Sequence, residues 1–248
     1  MDVSVILSLL IGILSLIVAF VLEGGALGSL LQPTAALIVF GGTIGAIGIS
    51  FPPSAIKKIL RTIKDLLKVK KNNKKELIEL LKEMSAKARL DGMLSLESYL
   101  TRTDIDKFLI KGLQLAIDGV QPEVVRTSLE NINENISEGR LEQAEIFEAA
   151  GGFAPTMGII GTVMGLVQVL GNLSNPNELG PKIAVAFIAT LYGVASANLL
   201  WIPIANRIKY IDKLESLEKE IITEGVILIQ EGVNPNSLET QLQGFLND

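Results

Sequence analysis

The 248-residue chain contains no cysteine and no histidine. Without thiols there are no disulfide staples, and without thiolate or imidazole the usual zinc, haem and iron–sulfur ligand sets are excluded. The same absence removes histidine and cysteine from any catalytic role. Met1-Asp2 offers no basic leader ahead of the first apolar run, and no small-x-small cleavage signal precedes Glu23. That run is therefore expected to be a retained helix rather than a signal peptide. No folded basic face rises out of the pattern, which argues against nucleic acid as a partner.

Charge is plentiful but segregated. The chain carries 22 Lys+Arg and 27 Asp+Glu, yet residues 3–22, 24–56, 149–177 and 183–206 hold none of either. Each run accommodates a helix of about 20 residues, the length that a hydrocarbon core of about 30 Å requires at 1.5 Å per residue. In the second run the Gly- and Pro-bearing stretch 24–33 leaves residues 34–51 as the buried part. The reading is an all-α polytopic membrane protein with four transmembrane helices, and it excludes a soluble bundle.

All basic residues except Lys182, Arg207, Lys209, Lys213 and Lys219 fall between the second and third runs. The connections 23–33 and 172–182 are short and nearly uncharged. By the positive-inside bias the long insert is cytoplasmic, and four spans then place both termini in the cytoplasm. The insert reads as helical. Ile56, Ile59, Leu60, Ile63, Leu66 and Leu67 continue the second span as an amphipathic helix beyond Pro52-Pro53. A turn is expected at 70–75, then a helix over 75–89 with Leu77, Leu80, Leu81, Met84 and Ala88 on one stripe. Asp91-Gly92 punctuates; helical segments follow at 94–99, 105–118 and 122–150, the last opened by Pro122. Ile204, Ile208, Ile211, Leu214, Leu217 and Ile221 extend the fourth span into the cytoplasm as one long, unbroken helix. Gly232 and Asn234-Pro235 end it, with Asn236 as the expected cap of a short terminal helix. The chain divides into spans 1 and 2 (1–51), a cytoplasmic helical domain (52–150), spans 3 and 4 (151–206) and a cytoplasmic tail (207–248).

Within the spans the informative residues are small, hydroxylic or proline. Gly161 and Gly165 in the third, and Gly193 and Ala197 in the fourth, are small-x-x-x-small spacings that let backbones approach closely, within the chain or between copies. Thr162 and Thr190 can each satisfy a hydroxyl on a carbonyl one turn back. Asn198 cannot do so completely and is expected to face protein or water. Pro155 and Pro203 each remove one helical hydrogen bond near the cytoplasmic ends of neighbouring spans. No span carries an ionisable carboxylate or amine near its middle. A self-sufficient pump or coupled transporter keeps such a group there, so a titrating residue would have to come from another subunit.

These residues resemble a known family. Pro33-Thr34-Ala35-Ala36-Leu37-Ile38-Val39-Phe40-Gly41-Gly42-Thr43, Ala88-Arg89 through Leu96-Glu97, Ala154-Pro155-Thr156-Met157-Gly158-Ile159-Ile160-Gly161-Thr162, and Ala184 to Asn198 with Thr190-Leu191-Tyr192-Gly193 are similar to the four-span subunit of the bacterial flagellar stator, the MotA/PomA family, distantly related to ExbB and TolQ. The resemblance spans essentially the whole chain. It implies a non-enzymatic, ion-conducting, torque-generating subunit in the bacterial cytoplasmic (inner) membrane. Five copies would surround two copies of a MotB/PomB-type single-span partner that brings the ion-binding aspartate. It further implies that Arg89 and Glu97 engage the rotor protein FliG, and that Pro155 and Pro203 couple ion movement to shape change. Thr162, Thr190 and Ala189 mark the ion pathway. Sodium-driven members tend to carry adjacent threonines where this chain has Ala189-Thr190, which points to H+ rather than Na+ and to no bound cofactor or metal. Two other readings stay open: an ExbB/TolQ-like energiser of another envelope machine, and a membrane scaffold without ion flux. A secondary transporter is disfavoured by the absence of inverted repeats.

Overall fold

The computed structural model describes residues 3–66, 74–171 and 176–246. The described residues are helical, joined by short turns, and contain no strand. The helices are α1 (Val3–Leu22), α2 (Pro33–Ala36), α3 (Gly42–Ser50), α4 (Pro53–Leu66), α5 (Lys74–Asp91), α6 (Glu97–Leu100), α7 (Lys107–Ile117), α8 (Pro122–Leu170), α9 (Pro176–Ser196), α10 (Ile202–Gln230) and α11 (Pro235–Gln243). Widened π-type turns at Leu37–Gly41 and Ala197–Trp201 join α2 to α3 and α9 to α10. Among the described residues, four helical stretches are long and apolar enough to cross a membrane.

Several expected boundaries shift. α8 does not stop near residue 150 but runs on to Leu170, carrying a helix of the insert directly into the third span. The terminal helix is capped by Asn234 rather than Asn236: its side chain accepts from the Asn236 N–H at 2.9 Å, and Pro235 fills the first helical position, where no N–H is needed. α9 begins at Pro176, ahead of the Lys182 assigned to the connection, while residues 172–175 lie outside the described residues. The turn expected at 70–75 lies outside them as far as residue 73, and α5 begins at Lys74.

The four stretches read from the sequence regroup as two compact units, Met1–Val69 with Leu141–Lys209, and Lys70–Arg140 with Tyr210–Asp248. Their boundaries fall within α8 and α10.

The first unit is held by small residues. One cluster joins Ala35, Val39, Ala154, Ile188 and Ala189; another joins Ile47 and Ala55 to Ile146 and Ala150; a third joins Ala144 and Phe147 to Ala205 and Ile208. Gly42 lets the second span seat on the third, because a Cβ there would lie 2.6 Å from the Met157 sulfur. Tyr192 ties α9 to the connection between the first two spans: its hydroxyl donates to the Leu30 carbonyl and accepts from the Gln32 N–H at 3.3 Å. α1 stands largely exposed on this chain, meeting the fourth span where Gly12 opposes Leu199.

The second unit has a conventional apolar core of Leu81, Met84, Leu96, Leu109, Leu113, Leu129, Ile221, Ile222, Leu238 and Leu242, all essentially fully buried. Burying each such side chain contributes about 1.5–3 kcal/mol. The stripe expected on α5 turns out to centre on Ile78, Leu81, Met84, Ser85 and Ala88, with Leu77 and Leu80 at its margin. The insert and the tail share this core, since α11 packs on α5 and Lys82 bonds Glu239 at 2.6 Å. Asp106 caps α7 by accepting from the Phe108 N–H at 2.7 Å. Beside this core, the facing stretches of α8 and α10 also carry polar contacts: Arg126 with Glu224 at 2.9 Å, Ser137 with Asp212 at 2.6 Å, and Arg140 with Glu215. The Glu224 carboxylate, hydrogen-bonded to Arg126, holds that guanidinium above its ordinary pKa.

Replacing Leu81 with Ala should lower stability by about 2–5 kcal/mol, since it removes a side chain with no exposed surface. Leu90→Ala, at a side chain 84% exposed, should change it by no more than about 0.5 kcal/mol. Thermal unfolding of the two purified variants in one detergent tests this; equal midpoints would contradict the core assignment.

Candidate functional site

The sequence-predicted membrane residues converge where α8 meets α9. Three glycines on α8 have no room for a methyl group. A Cβ on Gly158 would lie 2.8 Å from the Ala189 carbonyl oxygen, on Gly161 2.6 Å from the Ala189 Cβ, and on Gly165 2.6 Å from the Ala186 Cβ. Gly193 on α9 reciprocates, with 2.5 Å to the Ala154 carbonyl oxygen and 3.1 Å to the Pro155 Cα. Backbone therefore lies against backbone along this contact. The small faces proposed from the sequence for contacts within the chain or between copies are used within it. Association through Gly161, Gly165 and Gly193 between copies, the other possibility, is set aside for that steric reason. Ala197 is likewise buried.

This approach brings Thr162 and Thr190 together. Their hydroxyl oxygens are 2.5 Å apart, and Thr162 Oγ1 reaches the Ala186 carbonyl across the interface at 2.9 Å and the Gly158 carbonyl at 3.2 Å. Thr190 Oγ1 lies 3.4 Å from the same Gly158 carbonyl. Each hydroxyl has one proton to donate and two lone pairs to offer. If one donates to the other and the second to a carbonyl, lone pairs stay open on oxygens that are half-buried at membrane depth. Such a pair can orient a water or hold a neighbouring carboxylic acid. It supplies too few oxygens to replace the hydration shell of a metal cation.

Ala189 belongs to a different face. It is 2% exposed and its Cβ occupies the space that Gly161 vacates. On this chain it forms part of the helix contact, and the α8–α9 spacing admits nothing larger without displacement.

The two prolines are accommodated differently. α8 stays helical through Pro155, whose Cα packs against Gly193. Pro203 follows the widened turn Ala197–Trp201, in which the Ile202 N–H donates to the Ala197 carbonyl, one residue further back than in an α-turn. A proline has no N–H and its ring presses on the carbonyl four residues earlier, so widening the preceding turn relieves it. Turns of this type recur at functional positions. Helical periodicity reveals neither π turn, although Pro203 marks the second. Asn198 is exposed on this chain, its amide donating to the Val194 carbonyl at 2.9 Å.

Arg89 and Glu97 lie in the second unit on either side of a tight reversal. Arg89 stands in the last turn of α5 and Glu97 opens α6, with Gly92 at φ +81° between them. Leu96, fully buried, pins the reversal to the core. Positive charge at a helix C-terminus and negative charge at an N-terminus both suit the helix dipole. The neighbouring charges are engaged: Lys87 bonds Ser98 at 2.8 Å and stacks over Tyr99, and Arg102 grips Asp104 at 2.6 and 3.0 Å. The Arg102 hydrogen bond holds the Asp104 carboxyl below the usual range. Arg89 and Glu97 are exposed and, among the described residues, have no ion partner.

The fold and this arrangement define a four-span helical membrane protein, with a hydroxyl pair in its bundle and an unpaired charge pair on its helical insert. Residues 101–242 match the MotA/TolQ/ExbB proton channel family, and residues 6–92 match the Motility protein A N-terminal family. Motility protein A of Bacillus subtilis (strain 168) is 36% identical over 247 residues, covering 99% of this chain and 91% of that protein. Chemotaxis protein PomA of Vibrio alginolyticus is 34% identical over 248 residues, covering 100% and 96%. The solved structure of C. jejuni MotAB superposes with a TM-score of 0.93 at 32% identity, covering 99% of this chain and 96% of the other. The chain belongs to the MotA/TolQ/ExbB proton channel family.

The α8–α9 contact is testable with a single methyl group. Gly193→Ala should destabilise the chain by about 1–3 kcal/mol, because the carbonyl it meets is backbone and cannot swing away. Gly180→Ala, on the same helix with open space around it, should be neutral or slightly stabilising. Thermal midpoints in detergent decide, and indifference at Gly193 would refute backbone contact.

Proposed function

We propose that this chain is the ion-conducting, torque-generating stator subunit of a bacterial flagellar motor. The observation that carries this reading is the full-length agreement in sequence and fold with Motility protein A, PomA and MotAB stator chains. The match of residues 6–92 to a motility-specific N-terminal family weighs against an ExbB/TolQ-like energiser.

On this reading the chain assembles in five copies around two single-span MotB-type partners in the cytoplasmic membrane, with both termini in the cytoplasm. The kinship to MotAB assemblies supports the partner, and the basic residues of α4 and of early α10 support the orientation. The partner supplies the titrating carboxylate that the four runs of this chain lack. The Thr162–Thr190 pair orients a water or the protonated acid beside it, and the ion is a proton. Support comes from the few oxygens that converge there and from the proton channels of the family. Ala189, taken up by the helix contact, contributes nothing to the choice of ion. Arg89 and Glu97 meet complementary charges on the rotor protein FliG. Each exposed pair is worth only about 0–1 kcal/mol, so the contacts orient without binding fast. Pro155 and Pro203 give the third and fourth spans their points of bending.

Arg89→Glu or Glu97→Lys should sharply reduce torque in a host lacking its own stator, with membrane insertion and partner assembly unchanged. A reversed charge on the rotor face should restore it. Full motility of both variants at low expression would remove these residues from the rotor contact.

For the ion, swimming should persist in sodium-free medium with the proton gradient intact, and Thr190→Val should abolish it while assembly is retained. Motility lost without sodium and restored by adding it would overturn the proton assignment.

A further inference from the structure

The basic helix after the second span has served so far only to orient the chain. α4 is amphipathic to an unusual degree. Its inner face, Ala55, Ile56, Ile59, Ile63 and Leu66, packs on α8 and α10 residues of the same unit, including Ile146, Phe147 and Ala205. Its outer face presents Lys57, Leu60, Arg61 and Lys64, all exposed, with Leu60 73% exposed in their midst. Successive residues of a helix are separated by about 100°, so these four share one stripe. Lys58 points aside to Glu142 at 3.9 Å, whereas Lys57, Arg61 and Lys64 have no ion partner among the described residues. Asp65 shares the helix and has an interaction of its own.

The depth of this face follows from its anchor. Gln143 donates to the Ala55 carbonyl at 3.3 Å. The charge-free run of the third span begins at Ala149, so Gln143 sits about 9 Å outside it at 1.5 Å per residue. The polar headgroup layer extends roughly 5–8 Å beyond the hydrocarbon on each side. The first turns of α4, entered directly from the second span through Pro52-Pro53, thus lie close to the headgroups with their outer face turned away from the bundle.

We propose that this outer face is a binding surface for anionic phospholipid headgroups. Lys57, Arg61 and Lys64 contact the phosphates, and Leu60 inserts among the headgroups between them. Charge complementarity selects the occupant: three unpaired cations around one apolar side chain suit a phosphate layer over hydrocarbon, the arrangement by which amphipathic helices seat in an interface. The inference does not depend on the stator reading.

The test uses the full chain, purified with whatever partner accompanies it. Native mass measurement during titration with phosphatidylglycerol or phosphatidylcholine should show preferential retention of phosphatidylglycerol. Each of K57Q, R61Q and K64Q should weaken that retention about fivefold, the ratio equivalent to about 1 kcal/mol per basic residue at an anionic surface. Lys111→Gln, an exposed lysine on α7, should leave it unchanged. Because the chain has no cysteine, Leu60→Cys carries a fluorophore at one site. In phosphatidylglycerol-containing vesicles it should be quenched by lipid-borne nitroxide and shielded from aqueous iodide. Equal retention of both lipids, variants indistinguishable from the parent, or quenching from water alone would each overturn the proposal. So would a probe shielded only when a copurifying acidic protein is present, which would make the face a protein contact.

Discussion

The close approach of α8 to α9 governs the first unit. Between helices in lipid there is no hydrophobic driving force, because the solvent is as apolar as the side chains, so association rests on dispersion and interhelical hydrogen bonds. Both weaken steeply with distance. Gly158, Gly161, Gly165 and Gly193 remove every side chain that would hold the backbones apart. The consequences are geometric: Thr162 can reach the Ala186 carbonyl, Thr190 can reach Thr162, and Pro155 rests on Gly193. A wider spacing would leave two isolated hydroxyls, each satisfied on its own helix.

The second unit answers to different physics. Its apolar core is large and its glycines are few and local: Gly225 accommodates Leu81, and Gly112 accommodates Leu129 and Val226. The α8–α10 contact there carries buried carboxylates, Asp212 and Glu215, tied to Ser137 and Arg140. Such a seam adds little net stability compared with an apolar one, but it penalises a slipped register heavily, since a misplaced carboxylate would be buried without a partner. Long helices that must keep one register gain from that penalty.

Much of this was legible in the sequence, for identifiable reasons. Segregated charge marked the four spans, because a charge in hydrocarbon is too costly to occur by chance. Gly92 and Gly232, both at positive φ, marked turns that other residues rarely adopt. The resemblance grouped Thr162 with Thr190, and their hydroxyls do meet. The hidden part was relational. Whether Gly161 served this chain or a neighbour depends on what stands opposite, and the sequence of one helix does not contain that. The Ala189 contact was hidden for the same reason, since its spacing from Thr190 says nothing about which face it shares with Gly161. The tie from Tyr192 to Leu30 joins positions far apart in the chain and leaves no periodic trace. The joining of insert and tail into one core was equally silent, as both segments carry ordinary amphipathic patterns.

The widened turn at Ala197–Trp201 holds one more residue than an α-turn. Two plain turns cover about 7 residues, yet Ala197 and Ala205 are both buried. Everything after Trp201 is therefore out of phase with everything before it, by roughly the 100° that one residue subtends. The fourth span and its extension are one rod but two reading frames. A substitution in either half can be judged by ordinary helical periodicity. A one-residue deletion inside the turn would give a plain helix that keeps Ala205 and Ile208 facing Ala144 and Phe147, whereas straightening the turn at full length would swing them away.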